Sequence, residues 1–163
     1  MFAGKVEDLK AFMSALLIGE SFDSWEVVEA KAETFFELSV NGRVKKSFFD
    51  AEDEITREFV SWKEIKELFY RMIKGKRLPG LLRIVLCADM EKTEELRKNS
   101  GADALEQGSR LLLNIRYSNG ECIVTGGVSH QSFSLDKSLE QAWDKELQDI
   151  LKNKGIVVST HIS

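Results

Sequence analysis

Two Asn-Gly pairs, Asn41-Gly42 and Asn119-Gly120, each follow a run of alternating apolar residues. A tight type I′ turn needs φ > 0 at both central residues, which Asn and Gly tolerate best, so each pair predicts an antiparallel hairpin. Before the first pair, Val28, Ala30, Ala32, Phe36, Leu38 and Val40 hold one phase, and Val44, Ser47 and Phe48 fall on the expected return strand. Before the second, Leu111, Leu113, Ile115 and Tyr117 alternate, and residues 121–125 return. Strands apolar on one side need a layer packed against that side. The pattern leaves open whether residues 25–40 form one long strand or two.

Amphipathic helices can supply that layer. Residues 7–19 carry Leu9, Phe12, Met13, Leu16 and Leu17 at the spacing of one helical stripe, with Gly19 as a stop. A second helix starts at a capping box, Ser61-x-x-Glu64, carries Ile65, Leu68, Phe69 and Met72, and ends at Gly75. A third, capped by Asp136, carries Leu139, Trp143, Leu147, Ile150 and Leu151 as far as Gly155. The near-continuous apolar run 81–88 predicts a buried strand, and residues 89–101 a short polar helix on the surface. Gly126-Gly127 predicts a β-bulge, followed by a strand over 128–133. Residues 2–6, 58–60 and 156–161 read as short strands. The expected fold is α+β: an antiparallel or mixed sheet with three main helices packed on it. A chain of 163 residues buries roughly two-thirds of its unfolded surface, enough for one domain spanning 1–163. Its order of elements suggests half-repeats over 1–56 and 57–134, with an added helix and strand over 135–163.

Composition narrows the function classes. The net charge of -4 gives no global attraction to nucleic acid. Cys87 and Cys122 each sit in an apolar run without a CxxC partner and read as reduced, buried side chains. The start of the chain is too short for a signal sequence before its first helix, and no apolar run is long enough for a membrane span, so a cytoplasmic protein without membrane contact is expected. GxSxG, HExxH and P-loop patterns do not occur, and no cofactor is implied. His130 and His161 are the only histidines, and Ser129 and His130 would point to opposite faces of a strand, which is wrong for a nucleophile and its base. No catalytic residue and no metal site is assigned. Asp50, Glu52, Asp53 and Glu54 lack calcium-loop spacing and read as a solvated acidic loop. The densest basic patch is Lys74, Lys76, Arg77 and Arg83, a candidate contact for phosphates or an acidic partner beside its plainer reading as helix-end charge. Trp25, Trp62 and Trp143 read as core residues, with Trp62 partly exposed at a helix start.

Three stretches carry a resemblance over nearly the whole chain: Ile73-Lys74-Gly75-Lys76-Arg77-Leu78-Pro79, Leu112-Leu113-Asn114-Ile115-Arg116-Tyr117, and Phe133-Ser134-Leu135-Asp136-Lys137-Ser138-Leu139-Glu140 with Trp143-Asp144. They resemble an uncharacterised family of short proteins from clostridia-type Gram-positive bacteria, a domain of unknown function, which implies no activity. A second resemblance is topological. The opening Met1-Phe2-Ala3-Gly4-Lys5-Val6 before a helix, and Phe59-Val60-Ser61-Trp62 before another, are similar to the two half-starts of one DNA sliding-clamp domain. That likeness implies several copies closing into a ring.

Three functional readings follow: a non-enzymatic binding or interaction module, clamp-like and self-associating as a homo-oligomer; a nucleic-acid-binding protein using Lys74, Lys76, Arg77 and Arg83; or a small-molecule-binding protein or enzyme. The last predicts a deep pocket with convergent polar groups and perturbed carboxylates.

Overall fold

A computed structural model describes residues 1–102, 108–131, 133 and 135–160. In chain order its elements are β1 (Ala3–Val6), α1 (Leu9–Leu17), β2 (Glu26–Glu33), β3 (Glu37–Asn41), α2 (Trp62–Ile73), β4 (Leu81–Cys87), α3 (Met90–Ser100), β5 (Arg110–Ser118), β6 (Glu121–Ser129), α4 (Ser138–Asn153) and β7 (Val158–Ser159). The strands form one sheet in the order β3-β2-β4-β5-β6-β1-β7, and every neighbouring pair is antiparallel. The fold is α+β, with the three main helices and the short polar one all present. The expected polar helix after β4 is α3, capped by Asp89 and closed by Gly101 in the left-handed region. A salt bridge from Lys92 to Glu146 at 2.7 Å ties it to α4.

Strand alternation separates two environments. Leu82, Ile84, Leu86, Leu113, Ile115 and Val124 are fully buried under the helices with Phe12, Trp62, Phe69, Trp143 and Leu147. Arg83 and Arg116, one step out of phase, are exposed on the other face. Two buried indoles fix helices to backbone: Trp62 Nε1–H donates to the Leu16 carbonyl at 2.6 Å, and Trp143 Nε1–H to the Leu112 carbonyl at 2.9 Å. Trp62 is therefore a core residue with no exposed surface.

The two Asn-Gly pairs part ways. Asn119 and Gly120, at φ 52° and 78°, form the predicted turn between β5 and β6. At Asn41-Gly42 there is no hairpin. The chain reverses earlier, at 34–36, where Thr34 N–H donates to the Phe36 carbonyl at 2.9 Å, so residues 25–40 make two strands. Gly42 instead lies against the irregularity of β2 between Val27 and Glu29. Its N–H donates to the Val28 carbonyl at 3.0 Å and its carbonyl accepts from Val60 N–H at 2.8 Å. Residues 46–48 are a short 3₁₀ turn rather than a return strand. Gly126-Gly127 is not a bulge, because the β5–β6 register runs unbroken through both glycines. Gly126 packs closely under α4, where a Cβ would meet Leu147 Cδ2 at 2.9 Å. Val128 and Ser129 complete β6 itself, and among the described residues that follow, His130, Gln131 and Phe133 are not in a strand. Asp136 stands one residue before the N-cap of α4, Lys137, and its Oδ1 accepts from Ser138 N–H at 2.9 Å.

Candidate functional site

The stripe of α1 is only partly consumed by the core. Phe12, Leu16 and Leu17 are buried, whereas Leu9 and Met13 are half-buried and Ile18 is 60% exposed. α2 meets α1 at one end, through Trp62 on Leu16 and through Lys66, whose Nζ donates to the Gly19 carbonyl at 2.7 Å and to Asp23 Oδ1 at 2.5 Å. Beside this contact lies a cleft of about 410 Å³. Leu9, Met13 and Leu17 form one wall, Tyr70 and Ile73 the other, and Leu78 and Pro79 the lip. Its floor is the sheet itself, at Leu82 and Tyr117. Such a volume falls in the usual range for ligand sites.

The polar groups around the cleft are few. They are Lys10 and Lys74, Ser14, and both of the chain's two tyrosines, Tyr70 and Tyr117. The Lys74 ammonium stands 5.8 Å from the centre of the Tyr70 ring. Tyr117 is 3% exposed, and its hydroxyl has no hydrogen bond to any described residue. Among the described residues the one sealed side-chain oxygen or nitrogen without a partner is Thr34 Oγ1. The Tyr117 hydroxyl is therefore not sealed in protein, and the open space its side chain lines is this cleft.

A second trough of about 460 Å³ continues from the first, sharing Ile73, Lys74 and Leu78. Lys76, Arg77, Thr34 and the fully exposed Phe35 line it. Three of the four basic residues expected to act together are thus brought to one place. Arg83 is not with them: it projects from the opposite face of the sheet and pairs with Glu29 at 2.7 Å. Among the described residues, Lys10, Lys74, Lys76 and Arg77 have no carboxylate within salt-bridge distance.

Other chemistry-bearing groups are built into the fold. Burial pushes the Cys87 thiol up to about 11 and the Cys122 thiol up to about 12, so neither is a nucleophile near neutral pH. Arg110 bridges Glu26, at 3.2 Å, and Glu58, and the Phe59 ring sits beneath the guanidinium groups of both Arg110 and Arg43. Burial raises the Glu26 carboxyl above its ordinary value, against the opposing pull of Arg110. His130 is approached not by Ser129 but by Ser109, whose Oγ is 3.4 Å from Nδ1, while Nε2 is 3.1 Å from Glu140 Oε1. Ser109 is 1% exposed, so this Ser-His-Glu chain ties the starts of β5 and α4 to the end of β6 without presenting its hydroxyl to a substrate. The His130 and Lys137 contacts hold Glu140 below the usual carboxylate range. His161 lies outside the described residues. Asp50 and Asp53 bond each other within their loop, at 3.0 Å from Asp50 N–H to Asp53 Oδ2, and the described residues contain no cluster with metal-ligand character.

Sequence reasoning finds Lys74, Lys76 and Arg77 because they are contiguous, and misses the cleft beside them. Leu9, Met13 and Leu17 sit on a stripe that signals core whether or not a gap lies behind it. Tyr70 on α2 and Tyr117 on β5 are 47 residues apart in the sequence, and no local pattern joins them.

No helix among the described residues is long and apolar enough to cross a membrane. No curated protein and no solved structure matches the chain, so the sliding-clamp likeness has no structural neighbour behind it. Residues 15–159 match the model of a family of unknown function (DUF5721), and the chain belongs to that family.

Proposed function

We propose that this protein is a non-enzymatic binding module whose α1–α2 cleft takes a ligand that combines an apolar body with a negatively charged end. One observation carries the reading: an apolar cavity of about 410 Å³ opens beside cations that no carboxylate of the described chain neutralises. Apolar walls supply non-directional affinity, and the few polar groups supply orientation. No catalytic constellation faces the cleft. Its lining contains no carboxylate, histidine or cysteine, so binding rather than turnover is the activity it suits.

The test is a titration with anilinonaphthalene sulfonate, an apolar anion that brightens on leaving water. The protein is expected to saturate with one equivalent. Met13→Trp fills the cleft and is expected to abolish the enhancement. Lys74→Glu is expected to weaken it about three- to tenfold, the scale of one rim charge reversed. Circular dichroism establishes that each variant is folded. An enhancement that is absent, or equal in all three proteins, sinks the reading.

A further inference from the structure

We infer that the ligand of this cleft is a long-chain carboxylic acid, with its alkyl chain between α1 and α2 and its carboxylate at the mouth. This rests on the binding reading above and deepens it.

Three observations define the ligand class. The first is depth. The cleft passes through the helix layer to Leu82 and Tyr117, which are 0% and 3% exposed, beside the point where the two helices touch. A deep, mostly apolar space of about 410 Å³ between two helices suits one alkyl chain laid along its apolar walls. The second is the character of the polar lining. Lysine ammonium groups donate only, and hydroxyls can donate. Lys10, Lys74, Ser14, Tyr70 and Tyr117 are the side chains with polar atoms at the cleft, and none is an obligate acceptor. Sugars, nucleobases and peptides carry donors that call for acceptors in return. A carboxylate is acceptor-only and carries the charge that Lys10 and Lys74 lack in a partner. The third is Tyr117, buried and yet unbonded, which leaves a donor facing the space a ligand would fill.

The carboxylate is favoured over a phosphate head because the guanidinium of Arg77, the fork suited to phosphate, lines the neighbouring trough and not the cleft.

The experiment displaces bound anilinonaphthalene sulfonate with saturated fatty acids from octanoate to palmitate, below their micelle concentrations. The matched alcohols, alkylammonium ions and alkyl phosphates serve as comparison ligands. Affinity is expected to rise about fourfold per methylene until the cleft is full and then level off. The alcohols are expected to bind at least tenfold more weakly. Lys74→Gln is expected to close most of that gap without changing the slope per methylene, a signature that a purely structural role of Lys74 would not give. Tyr117→Phe is expected to cost a few-fold. Alkylammonium ions binding as well as fatty acids, or alkyl phosphates binding tenfold more tightly, overturn the carboxylate assignment. Reporter binding that no fatty acid displaces also overturns it, while leaving the binding reading intact. Absence of reporter binding removes both.

Discussion

At Gly42 the backbone of β2 comes so close that a Cβ would stand 1.7 Å from the Val27 carbonyl oxygen. That oxygen is backbone, so it can give way only if the chain of β2 moves. At Gly126 the nearest atom to a Cβ is Leu147 Cδ2, at 2.9 Å, the end of a side chain that can rotate. Two substitutions of identical chemistry should therefore differ. Gly42→Ala is expected to cost more than about 2 kcal/mol, because it must break the Gly42–Val60 backbone link or deform β2. Gly126→Ala is expected to cost about 1 kcal/mol or less. Urea denaturation of both variants checks the order, and equal losses would show that the contact at Gly42 is not tight. The same residue shows where sequence reasoning stops. Asn41-Gly42 and Asn119-Gly120 have the same intrinsic preference for φ > 0, and only the second uses it. What decides the first is contact with Val27 and Val60, residues that no local turn rule takes into account.

The helices were the most legible elements because their ends carry chemistry of their own. Ser61 and Glu64 form the predicted capping box. Glu64 Oε1 accepts from Ser61 N–H at 3.0 Å, and Arg57 Nη1 and Nη2 each donate to one oxygen of the same carboxylate. The Arg57 contact, followed by the Ser61 backbone bond, holds the Glu64 carboxyl down to about 2. A depressed carboxyl contributes stability that is whole above its unfolded value, near 4.3, and is lost as pH falls through its folded value. The window is therefore pH about 4.3 down to about 2. Glu64→Gln is expected to lower stability at pH 7 by about 1 kcal/mol, the usual scale of a helix cap. The gap between variant and native protein should shrink toward zero by pH 2. Urea melts at both pH values measure it, and a gap independent of pH would mean the charge on Glu64 is not what caps α2. Because Trp62 and Phe69 are fully buried, α2 stays docked in the variant and ligand binding at neutral pH should be unchanged. The cleft that α2 borders was not legible in the same way. A cap is written within four residues, whereas a gap between helices exists only once α1, α2 and the sheet are assembled.

The molecule as a whole has one sheet face covered by helices and one without helices, and this sorts its basic residues. Across the helix-free face, register places Lys31, Arg83, Arg116, Ile123 and Lys5 in one row. Lys31 pairs with Glu37 at 2.6 Å, Arg83 with Glu29 at 2.7 Å and Lys5 with Glu121 at 2.6 Å. In the sequence, Arg83 looks like a continuation of Lys74, Lys76 and Arg77. Strand alternation takes it through the sheet, and with it goes the largest version of the basic patch. Three cations remain in one trough of a chain with net charge -4, whereas duplex-binding proteins typically neutralise roughly six to ten phosphates. Self-association meets a comparable obstacle. Edge strand β3 is five residues long with Glu37, Ser39 and Asn41 exposed, and β7, at the other edge, has two residues. Short, polar edges resist strand pairing between copies. Light scattering during size exclusion, at low and high salt and with and without duplex DNA, is therefore expected to return the mass of one chain in every condition. A larger species that appears only with DNA at low salt, and is lost in Lys76→Glu with Arg77→Glu, would make the trough a phosphate-binding surface. A closed oligomer without DNA would mean that the edges pair despite their charge, and would return weight to the ring that the sliding-clamp likeness implies.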